Sequence, residues 1–133
     1  MRLRGALPLL IVIAVCVGCG NSERRADATA VGQHFQAALD DRDGEAACAQ
    51  LSEETAAKLE QQEQRPCEEA ILEVKLPSGG SVTKADVYVT SAAVGVTAGG
   101  TLFLDEAPGG WEISAAGCRP TAPKLPYDCE VEN

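Results

Sequence analysis

The chain changes its hydrophobic period once, at Pro77-Ser78-Gly79-Gly80. Before that break apolar residues recur at helical spacing, and after it they alternate. Val31, Phe35, Ala38 and Leu39 stand at i, i+4, i+7 and i+8, so a helix is expected over roughly 29–39. Asp27 or Thr29 is placed to cap its start. Asp43 or Gly44 caps a second segment over about 45–51. Ser52-Glu53-Glu54 opens another, with serine to satisfy free amides and acids to match the helix dipole. Gln61 to Arg65 is a polar loop. Pro66-Cys67-Glu68-Glu69 then starts a last short helix ending near Glu73.

Beyond the break, Val82 to Thr90 places Ala85, Val87 and Val89 on one face and Asp86, Tyr88 and Thr90 on the other. A second strand carries Val94 and Val96, with Gly95 marking a bulge or bend. Gly99-Gly100 is a hairpin signal. A third strand sends Leu102 and Leu104 inward and Phe103 outward. Pro108-Gly109-Gly110 turns the chain into a fourth with Trp111 and Ile113. The expected architecture is α+β, with N-terminal helices packed on a curved four-stranded antiparallel sheet. Pro120, Pro123 and Pro126 make 118–133 a looped tail rather than a helix or central strand.

The start of the chain sets its destination. Arg2 and Arg4 precede an apolar run ending at Val17-Gly18-Cys19-Gly20. A basic head, a short apolar core and small residues at the end form an export leader. The run is shorter than the ~20 residues a spanning helix needs. Its end resembles the lipobox of bacterial lipoproteins, where a small residue precedes a cysteine that takes the lipid. Gly18 and Cys19 match those places, and Cys16 stands where that family usually has Leu. The resemblance implies a leader over 1–18, a palmitate-type lipid on Cys19, and anchoring at the extracytoplasmic face of the cell membrane. Residues 19–28 are then a flexible tether, and 29–117 are the helix-then-sheet domain. An alternative is cleavage after Ala28, at Ala26-Asp27-Ala28, which would release a soluble secreted protein.

Cys16 leaves with the leader, and four cysteines remain beyond Cys19: Cys48, Cys67, Cys118 and Cys129. An even number in a small exported domain reads as two disulfides. Four cysteines allow three pairings, and spacing does not choose among them. The local pairing, Cys48 with Cys67 and Cys118 with Cys129, is the expected one. Among these four there is no C-x-x-C pair, and His34 is not in ligand spacing with a cysteine, so neither metal nor cofactor is expected. Asp40-Asp41-Arg42-Asp43-Gly44 does not fit a calcium loop, because Leu39 and Gln50 occupy its first and twelfth ligand places.

The chain has 11 basic and 20 acidic residues. Without Arg2 and Arg4, nine basic residues face twenty acidic ones, a net charge of −11. Such a field repels phosphate, so nucleic acid is not an expected partner.

Four stretches carry a second resemblance: Pro66-Cys67-Glu68-Glu69-Ala70, Gly109-Gly110-Trp111-Glu112-Ile113, Ala116-Gly117-Cys118 and Pro126-Tyr127-Asp128-Cys129. With the order helices then sheet, they resemble small actinobacterial lipoproteins with a nuclear-transport-factor-two-like, cone-shaped domain. That superfamily includes enzymes, ligand binders and dimerisation modules, so fold does not give function. The expected inner face is Val87, Val89, Val94, Val96, Leu102, Leu104, Trp111 and Ile113, with nothing titratable. A non-enzymatic binding or protein-interaction role is therefore the expectation. The alternatives are a cone-fold enzyme or an apolar-ligand carrier. Tyr88, Phe103 and Thr97, on the sheet face away from the helices, form the candidate surface for a homodimer or an envelope partner. His34 lies beside the apolar stripe of the first helix, where a histidine is more often a boundary residue than an inward-turned catalyst or ligand, so no catalytic residue is expected.

Overall fold

The computed structural model describes residues 19–98 and 100–133. The leader expected over 1–18 lies outside them, as does Gly99 of the hairpin signal.

Four helices come first: α1 (Cys19–Asp40), α2 (Gly44–Cys48), α3 (Glu53–Glu63) and α4 (Cys67–Glu73). The caps are those the residue types favour. Asp43 Oδ1 accepts from the Ala46 amide at 3.0 Å, and Ser52 Oγ accepts from the Thr55 amide at 3.2 Å. Pro66 precedes α4, with Glu68 and Glu69 in its first turn.

Helix α1 begins ten residues earlier than the apolar stripe implies. Residues 20–28, expected as a flexible tether, form its first turns. The stripe continues upstream: Ala28 is fully buried, and Arg24, one turn further back, is anchored on the sheet. Thr29 does not cap anything; its hydroxyl donates to the Arg25 carbonyl at 2.8 Å, one turn back in the helix.

The strands are β1 (Val82–Val87), β2 (Ser91–Val96), β3 (Gly100–Ala107), β4 (Gly110–Pro120), β5 (Tyr127–Asp128) and β6 (Val131–Glu132). Neighbours run antiparallel in the order β1-β2-β3-β4-β5, with β6 also paired to β4. The four expected strands are present, but the open sheet has six strands among the described residues. The tail supplies the two extra ones. β4 runs on through Cys118 to Pro120, and the returning chain pairs Tyr127 with Pro120 and Val131 with Ala116. Proline is tolerated there because Pro120 is the last residue of its strand. Gln50 to Ser52 cover the remaining outer edge of β4, exchanging backbone hydrogen bonds with Ile113 at 2.8 and 2.9 Å. β1 is left as the edge strand.

The irregularity expected at Gly95 lies on the strand opposite it: Thr83 and Lys84 of β1 stand between the Val82–Val96 and Ala85–Val94 pairs, facing Gly95. Its register with Thr101 is unbroken, and its missing side chain makes room for the Thr83 hydroxyl of β1. Further register shifts lie along the β3–β4 ladder around Phe103.

The core joins α1 to the inner sheet face. Phe35, Leu59, Ile71, Val94, Leu102, Leu104 and Ile113 are essentially fully buried. Val89 does not belong to it. At 85% exposure it sits in the turn after β1, because Tyr88 already pairs back to Ser91. Two disulfides, Cys48–Cys67 and Cys118–Cys129, take the local pairing. The first ties α2 to α4, and the second staples the tail to β4.

Candidate functional site

Trp111 is the second residue of β4, opposite Glu106 in the β3–β4 register. Its ring is nearly buried, at 9% exposure. Arg24 of α1 lies over it, with the guanidinium carbon 5.2 Å from the ring centroid. The same guanidinium donates to the Val89 carbonyl at 2.7 Å and to the Tyr88 carbonyl at 3.4 Å. It pairs with Glu106 at 2.9 Å. Trp111 Nε1 donates back to the Arg24 carbonyl at 3.1 Å. One cation is thus held by an aromatic face, a carboxylate and two backbone carbonyls, supplied by β4, β3 and the β1–β2 turn.

Beside this cradle a cleft of about 550 Å³ opens between α1 and the β3–β4 hairpin. Asp27, Val31 and His34 line it from α1, while Trp111 and Glu112 line it from β4. Helical spacing places 24, 27, 31 and 34 along one side of α1. His34 is exposed at the rim rather than turned into the core. Among the described residues Asp27 and Glu112 have no ion-pair partner. The cleft therefore offers carboxylates and a tryptophan, groups that attract a cation. Among the described residues no three His, Cys, Asp or Glu side chains are grouped to hold a metal ion.

The candidate partner surface does not gather into one patch. Tyr88, 61% exposed, follows β1. Thr97 follows β2, at the opposite end of the β1–β2 ladder, where it is bonded to Ser81. Phe103 is half-buried in mid-β3, and the Tyr127 ring meets it edge-on at 5.0 Å. Alternation did place Phe103 on the outer face, but the stapled tail folds back over it. The exposed apolar side chains of that region are Leu125 and Tyr127, within the Cys118–Cys129 loop.

Cys19 is the first residue of α1. Among the described residues no helix is long and apolar enough to cross a membrane. Arg24 is the residue of this cradle that periodicity misses. The signal for it is its place one turn before Ala28 and two before Val31, on the continuation of the buried stripe.

No protein-family profile, curated protein or solved structure matches the chain.

Proposed function

We propose that this protein is an extracytoplasmic lipoprotein, held to the cell membrane by a lipid on Cys19, whose role is to bind a partner rather than to catalyse a reaction. The observation that carries the reading is the pair of disulfides bracketing the fold, since such bonds persist in oxidising compartments. The leader pattern supplies the route, and Gly18-Cys19 supplies the anchor. Cleavage after Ala28 is the weaker alternative. Ala28 is fully buried in the middle of α1, and a cut there would discard Arg24 and its contacts with Trp111.

For the fold we propose the cone-like arrangement of the nuclear-transport-factor-two-like superfamily. Helices over one sheet face, and register shifts that bend strands, support it. Its wide end would then be the cleft beside Trp111, where the unpaired carboxylates favour a basic partner. Tyr88 at the β1–β2 turn, and Leu125 and Tyr127 in the stapled loop, are exposed apolar side chains that a second copy or an envelope protein would meet.

Replacing Cys19 with Ser tests the anchor. Membrane fractionation is expected to lose the protein to the soluble fraction, and a Ser variant that stays with membranes as the parent does would overturn the assignment. A photo-crosslinker at His34 tests the binding role. A discrete adduct in intact cells supports it, and no adduct across growth conditions counts against it.

A further inference from the structure

The Arg24 contacts are made between a weakly held helix end and a firmly built receptor. On the receptor side, Glu106 and Trp111 are paired across the β3–β4 ladder, and the Tyr88 and Val89 carbonyls lie in the β1–β2 turn, which the Tyr88–Ser91 backbone bond closes. On the helix side, no residue from 20 to 27 is buried, whereas Ala28 is fully buried. Gly20, Asn21 and Ser22 are poor helix formers, so these turns contribute little of their own. Arg24 is what docks them.

We propose that the end of the sheet around Trp111 is a guanidinium-binding site that Arg24 fills in cis, and that an arginine side chain on a basic partner polypeptide takes its place when the first turns of α1 undock. This rests on the binding role proposed above and names its chemistry. The site suits a guanidinium better than an ammonium. A planar fork can meet a carboxylate and two carbonyls while its face lies on an indole, which a compact ammonium cannot do. Asp27 and Glu112 beside the cradle, and a net charge of −11 once Arg2 and Arg4 are gone, favour an incoming basic segment. The cleft of about 550 Å³ gives it room alongside α1. In the docked state Arg24 is an intramolecular competitor at high effective concentration, so a partner with several basic residues displaces it better than a single arginine does.

The experiment follows Trp111, the chain's sole tryptophan, by fluorescence in the full chain. The probe is a short blocked peptide with one arginine, compared with its lysine and citrulline counterparts. If Arg24 occupies the cradle about nine-tenths of the time, the parent binds the arginine peptide roughly tenfold more weakly than Arg24→Ala does. The lysine peptide is expected to bind less well to Arg24→Ala, and the citrulline peptide not at all. Glu106→Gln placed in the Arg24→Ala background is expected to reduce arginine binding again. Circular dichroism and disulfide mapping show whether each variant is folded. A folded Arg24→Ala that responds alike to all three peptides, or to none, overturns the proposal. Should Arg24→Ala fail to fold, Arg24→Lys in the parent chain replaces it, with the same ranking of peptides expected and the same equality decisive. A crosslinked partner at His34 that persists despite such a result would leave the binding role standing and remove only the cradle.

Discussion

Trp111 and Arg24, 87 residues apart in sequence, grip each other twice: the guanidinium lies over the indole at 5.2 Å, and the indole N–H donates to the Arg24 carbonyl at 3.1 Å. The reciprocity fixes both the side chain and the backbone of the helix turn. It converts a polar segment with no apolar period into an ordered start of α1. Arg24→Ala is expected to lose about 1 kcal/mol, combining a half-exposed cation–π contact with an ion pair that solvent weakens. Urea unfolding measures this loss. A larger effect is expected on amide exchange at residues 20–27, which should lose protection without global unfolding. Unchanged exchange there would show that Arg24 does not hold the turns.

Gly44 meets a tighter constraint. A Cβ at that position would overlap the Glu68 carbonyl, because α2 lies directly against α4 where Cys48 and Cys67 are joined. Backbone cannot step aside as a side chain can. Gly44→Ala is expected to cost about 1–3 kcal/mol by overpacking, despite the better helix propensity of alanine. Thermal unfolding of the oxidised protein checks it; a stabilised variant would mean the two helices slide apart at little cost.

Gln36 presents the opposite case. It is 6% exposed, and its Oε1 is buried with no hydrogen-bond partner. An unmatched buried acceptor costs about 1–3 kcal/mol. Gln36→Met keeps the length and removes the carbonyl. It is expected to raise stability by about 1 kcal/mol, read as a higher urea midpoint with an unchanged slope. A lower midpoint would show that the amide is doing something for the fold.

Much of this architecture is legible in the residues, for identifiable reasons. Ser52 and Asp43 announce helix starts because a cap is a local transaction between a side chain and amides two or three residues on. The switch at Pro77 to Gly80 announces the sheet because alternation is imposed by the strand itself. The failures involve distant partners. Val89 continues the alternation but lies past the end of the ladder, since the pairing of Tyr88 with Ser91 closes the turn early. Residues 119–133 look like loop because their proline content is local information, while β5 and β6 exist only through pairing with β4. Trp111 reads plainly as a strand residue, but nothing in the chain announces that Arg24 meets it.

The stapled tail gives the last test. Cys118 and Cys129 hold a segment that places Tyr127 edge-on against Phe103 and buries Val131 beside Ala116. Two-residue strands cannot supply that order themselves, since so few backbone bonds do not offset the entropy of fixing the chain. The disulfide lowers the cost by restricting the unfolded loop, worth about 3 kcal/mol in the chain-entropy account. Replacing both Cys118 and Cys129 with Ser is therefore expected to release residues 119–133 and lower stability by about 3 kcal/mol. Release would uncover Phe103 and the edge of β4, so dye binding to exposed apolar surface should rise while the helical signal persists. The Cys48–Cys67 pair lies in another part of the fold and should stay oxidised, which peptide mapping without reductant would establish. A doubly substituted protein that keeps the 5.0 Å Phe103–Tyr127 ring contact, seen as an unchanged nuclear Overhauser effect, would show that the tail is held by its strands and not by its staple.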